Sequence, residues 1–278
     1  MIPAGFDYVA PDSLDEALEA LAADPDAKAL AGGHSLIPMM RLRFAQPSTL
    51  VDLRRIPGLK GIEPANGRVR VGAMTTHHQV DAAGLGLASA AAHTIADQQV
   101  RNRGTIGGSL AHGDRASDLP AVLLALEGAV TAMKTGGGSR EIPAADLFKG
   151  YMTTALEPGE LLTEVHLPVM EGYGYGYEKF ARRKEDWAMV AVSALVQVQD
   201  GTVADVRVGL THMAAVPLRA TAVEDALRGQ PANAESIARA AEQAAEGTNP
   251  PTDLNATADY KRHLARVLTR RALMSAIG

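Results

Sequence analysis

Ala31-Gly32-Gly33-His34-Ser35-Leu36 follows an apolar stretch, Ala27 to Ala31, and precedes a segment around Pro38, Met39, Met40 and Leu42 that reads as helical. The order predicts a strand, a tight glycine turn and a helix. Two adjacent glycines let the backbone take positive φ and turn several N–H groups into one concavity, the arrangement a diphosphate requires. Ser35 adds a hydroxyl donor, and His34 is placed to bond a ligand or brace the loop. Alone, the hexapeptide reads equally well as a plain strand-to-helix turn.

A second glycine stretch lies about 70 residues on: Arg101-Asn102-Arg103-Gly104-Thr105-Ile106-Gly107-Gly108-Ser109, then His112-Gly113-Asp114 and Ser117-Asp118. Gly107-Gly108 repeats the pattern of the first motif between hydroxyl residues, so the chain is expected to offer two nests of N–H donors, as a dinucleotide held between two loops would need. Asp118 is a candidate acceptor for ribose or adenine groups. Arg101 and Arg103, taken alone, read as a solvated loop. Neither motif is G-x-G-x-x-G and no G-x-x-x-x-G-K-[ST] occurs, so the common NAD and ATP loops are unsupported. Gly84-Leu-Gly86 reads as a turn, and His77-His78 at a helix start as surface rather than metal ligands.

Around these motifs the pattern is mixed α+β. Ser13-Leu-Asp-Glu16 is a capping box opening a helix over 13–23. Short strands follow at Leu50–Leu53, Gly61–Glu63 and Val69–Gly72, the last two joined by the hairpin turn Asn66-Gly67. Thr76 to Gln79 caps an alanine-rich helical region reaching about Ile95. The run Ala121–Leu126 is too short to assign. Glu171-Gly-Tyr-Gly-Tyr-Gly-Tyr177 is a compositional break and the candidate linker. Beyond it, Val190–Val198 and Val203–Leu210 read as a hairpin and the remainder as helices near 220–228, 234–246 and 256–277, with Tyr260, Leu264, Val267 and Leu268 on one face. Tyr177 to Trp187 also holds Lys179, a residue type that can stabilise charge developing on a reduced flavin, and the only Trp, although alone this segment reads as a basic, solvated loop with one anchoring aromatic.

With 278 residues the chain has room for two domains. Its formal charge of −5 offers no broad basic field for a nucleic acid. It has no cysteine, which excludes disulfides and thiolate-held clusters, so any redox metal must sit on a partner. No leader pattern or run of about 18 apolar residues is visible, and a cytoplasmic protein without stable membrane insertion is expected.

Taken together, Ala31-Gly-Gly-His-Ser35, Thr105-Ile-Gly-Gly-Ser109, Ser117-Asp118 and Lys179-Phe-Ala-Arg-Arg183 resemble the FAD-binding medium subunit of the carbon monoxide dehydrogenase and xanthine dehydrogenase family of molybdenum hydroxylases, over almost the whole chain. The resemblance implies a vanillyl-alcohol-oxidase (PCMH)-type FAD domain over 1–174, in subdomains of about 1–56 and 57–174. A C-terminal domain over 175–278 would hold a three-stranded antiparallel sheet and helices. It further implies that Ala31 to Leu36 and Thr105 to Ser109 cradle the FAD pyrophosphate, that Asp118 contacts the cofactor, that Ile95 and Leu162 are apolar neighbours, and that Lys179 lies near the isoalloxazine. Ser109 departs from the Asn common in the family. The implied partners are a large molybdopterin-binding subunit and a small subunit with two [2Fe-2S] clusters, in a dimer of heterotrimers that reduces quinone, NAD or oxygen. The likeness is greatest to the carbon monoxide dehydrogenase branch; the alternatives are the FAD subunit of a purine, aldehyde or N-heteroaromatic dehydrogenase, a stand-alone oxidase of the same fold, with a flavin linked through His34 or His112, and a non-enzymatic nucleotide-binding or scaffold protein.

Overall fold

The structure, a computed structural model, describes residues 1–278. Its first unit is a small parallel sheet. Strands β1 (Asp7–Val9) and β2 (Lys28–Leu30) flank β3 (Thr49–Asp52), with α1 (Leu14–Ala23) and α2 (Leu36–Arg41) in the connections. Ser13 caps α1 by accepting from the Glu16 N–H, while the Glu16 carboxylate turns back to the Asp12 N–H rather than to the cap itself. Ala17 and Leu18 then point inward onto Val51 and Leu53.

The second unit is a five-stranded antiparallel sheet ordered β4-β5-β10-β6-β7, from β4 (Ile62–Ala65), β5 (Arg68–Gly72), β6 (Ala129–Lys134), β7 (Gly138–Pro143) and β10 (Leu161–Pro168). Between β5 and β6 runs a layer of helices: α3 (His77–Ala82), α4 (Leu87–His93), α5 (Gln98–Arg101), α6 (Ile106–His112) and α7 (Asp118–Ala125). A short helix α8 (Ala144–Leu147) and the pair β8 (Phe148–Gly150) and β9 (Thr153–Thr154) complete it. The Thr76–Gln79 capping box is present in full, and the alanine-rich region is two helices parted at Gly84-Leu-Gly86. Helix α7 accounts for the unassigned run Ala121–Leu126. It is buried on nearly every side, so it carries no polar stripe and no readable period.

The third unit is an antiparallel sheet of three long strands, β11 (Tyr173–Phe180), β12 (Val190–Gln199) and β13 (Thr202–Thr211), with the two-residue β14 (Leu218–Arg219) at one edge. Helices α9 (Thr221–Leu227), α10 (Ala234–Ala241) and α11 (Ala258–Ile277) cover one face. The buried side of α11 is Lys261, Leu264, Ala265, Leu268, Ala272 and Leu273; Tyr260, expected on that face, is exposed. Each buried leucine there is worth about 1.5–3 kcal/mol of apolar burial.

The expected linker at 171–177 is corrected by β11. Its Tyr-Gly alternation is a strand with period 2: Tyr173, Tyr175 and Tyr177 share one face, and Gly174 and Gly176 the other. A Cβ at either glycine would overlap a carbonyl of α11, Ala276 O or Ala272 O. The opposite sheet face packs onto the second unit. Leu195 of β12 joins its core, and α7 approaches β13 so closely that Gly209 leaves no room for a Cβ beside Ala121 O.

Candidate functional site

Leaving β2, the chain turns at Gly33, whose φ of +79° favours glycine. Gly33 O accepts from the Ile37 N–H at 3.1 Å and Ser35 O from the Met39 N–H at 3.2 Å, which starts α2. The N–H groups of Gly32, Gly33, His34, Ser35 and Leu36 donate to no other group of the chain, and α2 has no side-chain cap. Five successive donors at a helix start are thus left without an acceptor in the chain.

The second motif has a different geometry. Gly107 and Gly108 lie in the first turn of α6, and their donors are already engaged: Ile106 N–H to Thr75 O, Gly107 N–H to Ala73 O, Gly108 N–H to Thr105 Oγ1, and Ser109 N–H to Thr105 O. The expected second nest is thus corrected. These glycines serve close packing, since a Cβ on Gly107 would lie 2.7 Å from Ala73 Cα. What remains for a ligand is the Thr105 N–H and the Ser109 hydroxyl, neither of which has a partner in the chain.

The two motifs meet at a backbone crossing. A Cβ on Gly32 would overlap Arg103 O and sit 2.7 Å from Gly104 Cα, and one on Gly104 would sit 2.7 Å from Cδ2 of His77. His77 donates its N–H to Gly104 O at 2.9 Å. It is therefore buried, not a surface residue, and burial, with help from His34 and Arg101, pulls its pKa down to about 4. Arg101 is also no solvated loop residue: its Nη1 holds Ile95 O at 2.9 Å and Ala96 O at 3.0 Å. Arg103 is exposed.

Helix α6 leads through Gly113 to Ser117 and Asp118, where α7 begins. Asp118 does not present a free carboxylate for ribose or adenine. Its Oδ2 meets Lys179 Nζ at 3.1 Å, its Oδ1 accepts from the Tyr177 hydroxyl, and the two charged side chains are 5% and 8% exposed. Lys179 also donates to Thr94 O at 3.3 Å, one residue from Ile95. Burial first, then the Asp118 charge, pushes the Tyr177 hydroxyl well above the ordinary range, so it remains a donor. The structure thus brings together Ala31 to Leu36 with Thr105 to Ser109, and Ile95 with Asp118 and Lys179. Leu162 is buried in the core of the five-stranded sheet, opposite Ala132. His34 is exposed, His112 half-buried and Trp187 exposed. Sequence reasoning missed Tyr177, Thr94 and the bracing by His77; for Tyr177 the period-2 pattern was the available signal.

Two family models match the chain: the FAD binding domain in molybdopterin dehydrogenase over residues 4–170, and the CO dehydrogenase flavoprotein C-terminal domain over residues 175–276. The chain belongs to this family of FAD-binding subunits of molybdenum-dependent dehydrogenases and is an oxidoreductase component. Within it, the carbon monoxide dehydrogenase medium chain of Hydrogenophaga pseudoflava is 41% identical, over 99% of this chain and 98% of that protein. The nicotine 6-hydroxylase medium subunit of Paenarthrobacter nicotinovorans is 38% identical over 97% and 96%. A solved structure of the Hydrogenophaga pseudoflava carbon monoxide dehydrogenase superposes with a TM-score of 0.95 at 42% identity, covering 99% of this chain and 98% of that one. The relatives are medium subunits of multi-subunit enzymes. No helix is long and apolar enough to cross a membrane.

Proposed function

We propose that this chain holds FAD with its diphosphate on the Gly32–Leu36 loop, and carries electrons from the [2Fe-2S] clusters of a small partner subunit to an external acceptor. The observation that supports this most is the run of five unpartnered N–H groups in a chain of an FAD-binding family. When bound, FAD supplies a carrier that takes up and gives out electrons singly or in pairs. Gly32 to Leu36 bind the diphosphate through backbone donors. Thr105 and Ser109 add donors from the far side of the crossing, the shorter Ser109 hydroxyl standing where the family often has an amide. Ile95 and Leu162 form apolar surroundings, and Lys179, held by Asp118 and Thr94 O, lies near the ring system as one half of a neutral ion pair.

With no cysteine in the chain, the clusters that feed the flavin belong to a partner. A large molybdopterin-binding subunit does the substrate oxidation, in a cytoplasmic dimer of heterotrimers with the boundary between FAD and C-terminal domains near residue 174. Relatives named for carbon monoxide and for nicotine are similarly close, which fits a substrate chosen on another subunit. The test is the visible spectrum of the purified chain. Flavin bands that denaturation releases as free FAD are expected, whereas a colourless protein that takes up no added FAD overturns the reading. Isolation from its source with molybdenum and iron–sulfur subunits attached tests the assembly.

A further inference from the structure

His212 follows β13 with φ +65°, in the left-handed region that non-glycine residues seldom adopt. That turn sends its N–H across to Arg115 O at 2.9 Å, in the segment between α6 and α7. Its side chain returns into the C-terminal domain, leaving the residue 8% exposed. There Nδ1 lies 2.8 Å from Ala188 O. A carbonyl only accepts, so Nδ1 carries the proton, and Nε2 is left to accept from Lys261 Nζ at 3.3 Å. Lys261 is fully buried and is held in turn by Asp253.

The two carbonyls that His212 holds are each linked through the backbone to one half of the Asp118–Lys179 ion pair. Arg115 is three residues before Asp118. Ala188 precedes Met189, whose N–H donates to Phe180 O at 2.8 Å, next to Lys179. We propose that His212 is a positioning residue for the Asp118–Lys179 pair, a latch whose N–H and imidazole together hold the backbones that carry Asp118 and Lys179 in register across the domain seam. Its consequence for a flavin rests on the function proposed above; the latch itself does not.

The charged groups facing His212 are Lys261 of α11, Asp253 of the loop before it, and Arg115 across the seam. Burial, with Lys261 and Arg115, keeps the imidazole neutral. Protonation takes away the acceptor that Lys261 uses and sets a further cation beside it, so acid releases the latch.

The test is hydrogen–deuterium exchange on the full chain, read by mass spectrometry over 114–118 and 186–189. Glycine relieves strain at a left-handed position, so His212→Gly would leave a merely strained site tighter. The latch instead requires both segments to exchange about tenfold faster together in this variant, the upper end for one lost buried hydrogen bond between neutral groups. In the wild type, after correction for intrinsic rates, the same two segments should loosen together below the ordinary imidazole range, and His212→Gly should lack that transition. Should His212→Gly fail to fold, Lys261→Met is read instead; removing the neighbouring cation should move the acid transition upward. Wild-type protection in His212→Gly, an acid transition that persists in it, or two segments that loosen independently would each overturn the latch. If the latch behaves as described but wild type holds no FAD, only the cofactor reading fails. Where FAD is held, its dissociation should quicken severalfold in His212→Gly.

Discussion

Asp118 and Lys179 meet at 3.1 Å across the seam between the FAD domain and the C-terminal domain, each almost wholly withdrawn from water. A charge in that position is tolerated because its partner is there, so breaking the pair is more disruptive than the modest net value of keeping it. Lys179→Met leaves the Asp118 carboxylate with only the Tyr177 hydroxyl. A loss of about 3 kcal/mol or more is expected, or roughly 6–12 °C in Tm for a chain of this size. Scanning calorimetry checks it, and Lys179→Met combined with Asp118→Asn should lose less than the two single changes summed.

Gly33 has φ +79°, and a side chain there would also press on Ile37 Cδ1 at 2.7 Å; a Cβ on Gly108 would sit 2.7 Å from the capping Thr105 Oγ1. Gly33→Val and Gly108→Val should each abolish FAD retention while the C-terminal domain stays folded, as read by flavin absorbance and by exchange protection of β12 and β13. Unchanged flavin occupancy in both would remove the loop crossing from the site.

His77 titrates near 4 when folded and near 6.5 when unfolded. The unfolded chain therefore takes up the proton first, and the stability present above about pH 6.5 declines as pH falls toward 4, by about 3 kcal/mol in total. Urea unfolding at several pH values should show His77→Phe, an uncharged ring against Gly104, with a smaller slope across that window. An identical slope would mean the folded ring is free to charge.

Gly176 faces α11 where a Cβ would overlap Ala272 O. Gly176→Ala should push the helix off β11 at about 1–3 kcal/mol or more, lowering the urea midpoint. The neighbouring Tyr175→Ala, at an exposed site, should change it little.

Local patterns carried much of this molecule. The helix caps at Ser13 and Thr76, the Asn66-Gly67 hairpin and the β12–β13 hairpin depend on neighbours in the chain and were legible from it. The glycine loop at Gly32–Leu36 belongs with them, because free donors after a positive-φ glycine are a property of one short segment. Helix α7 and strand β11 were not legible. One is buried all round and so lacks a periodic contrast, and the other uses glycine for a contact made by a helix about 100 residues later.

By itself, then, the sequence determined that this chain has a glycine turn between a strand and a helix, no thiolate for a cluster, and the ordered motifs of an FAD subunit. Tertiary structure alone decided that Gly107 and Gly108 serve packing rather than a second nest, that Asp118 is paired with Lys179 and Tyr177, that His77 is buried against Gly104, and that His212 bonds Arg115 O and Ala188 O. The physical reason is the range of the interactions. Turn and cap geometry is settled within a few bonds, whereas burial, ion pairing and backbone crossings depend on which distant segments the folded core forces together.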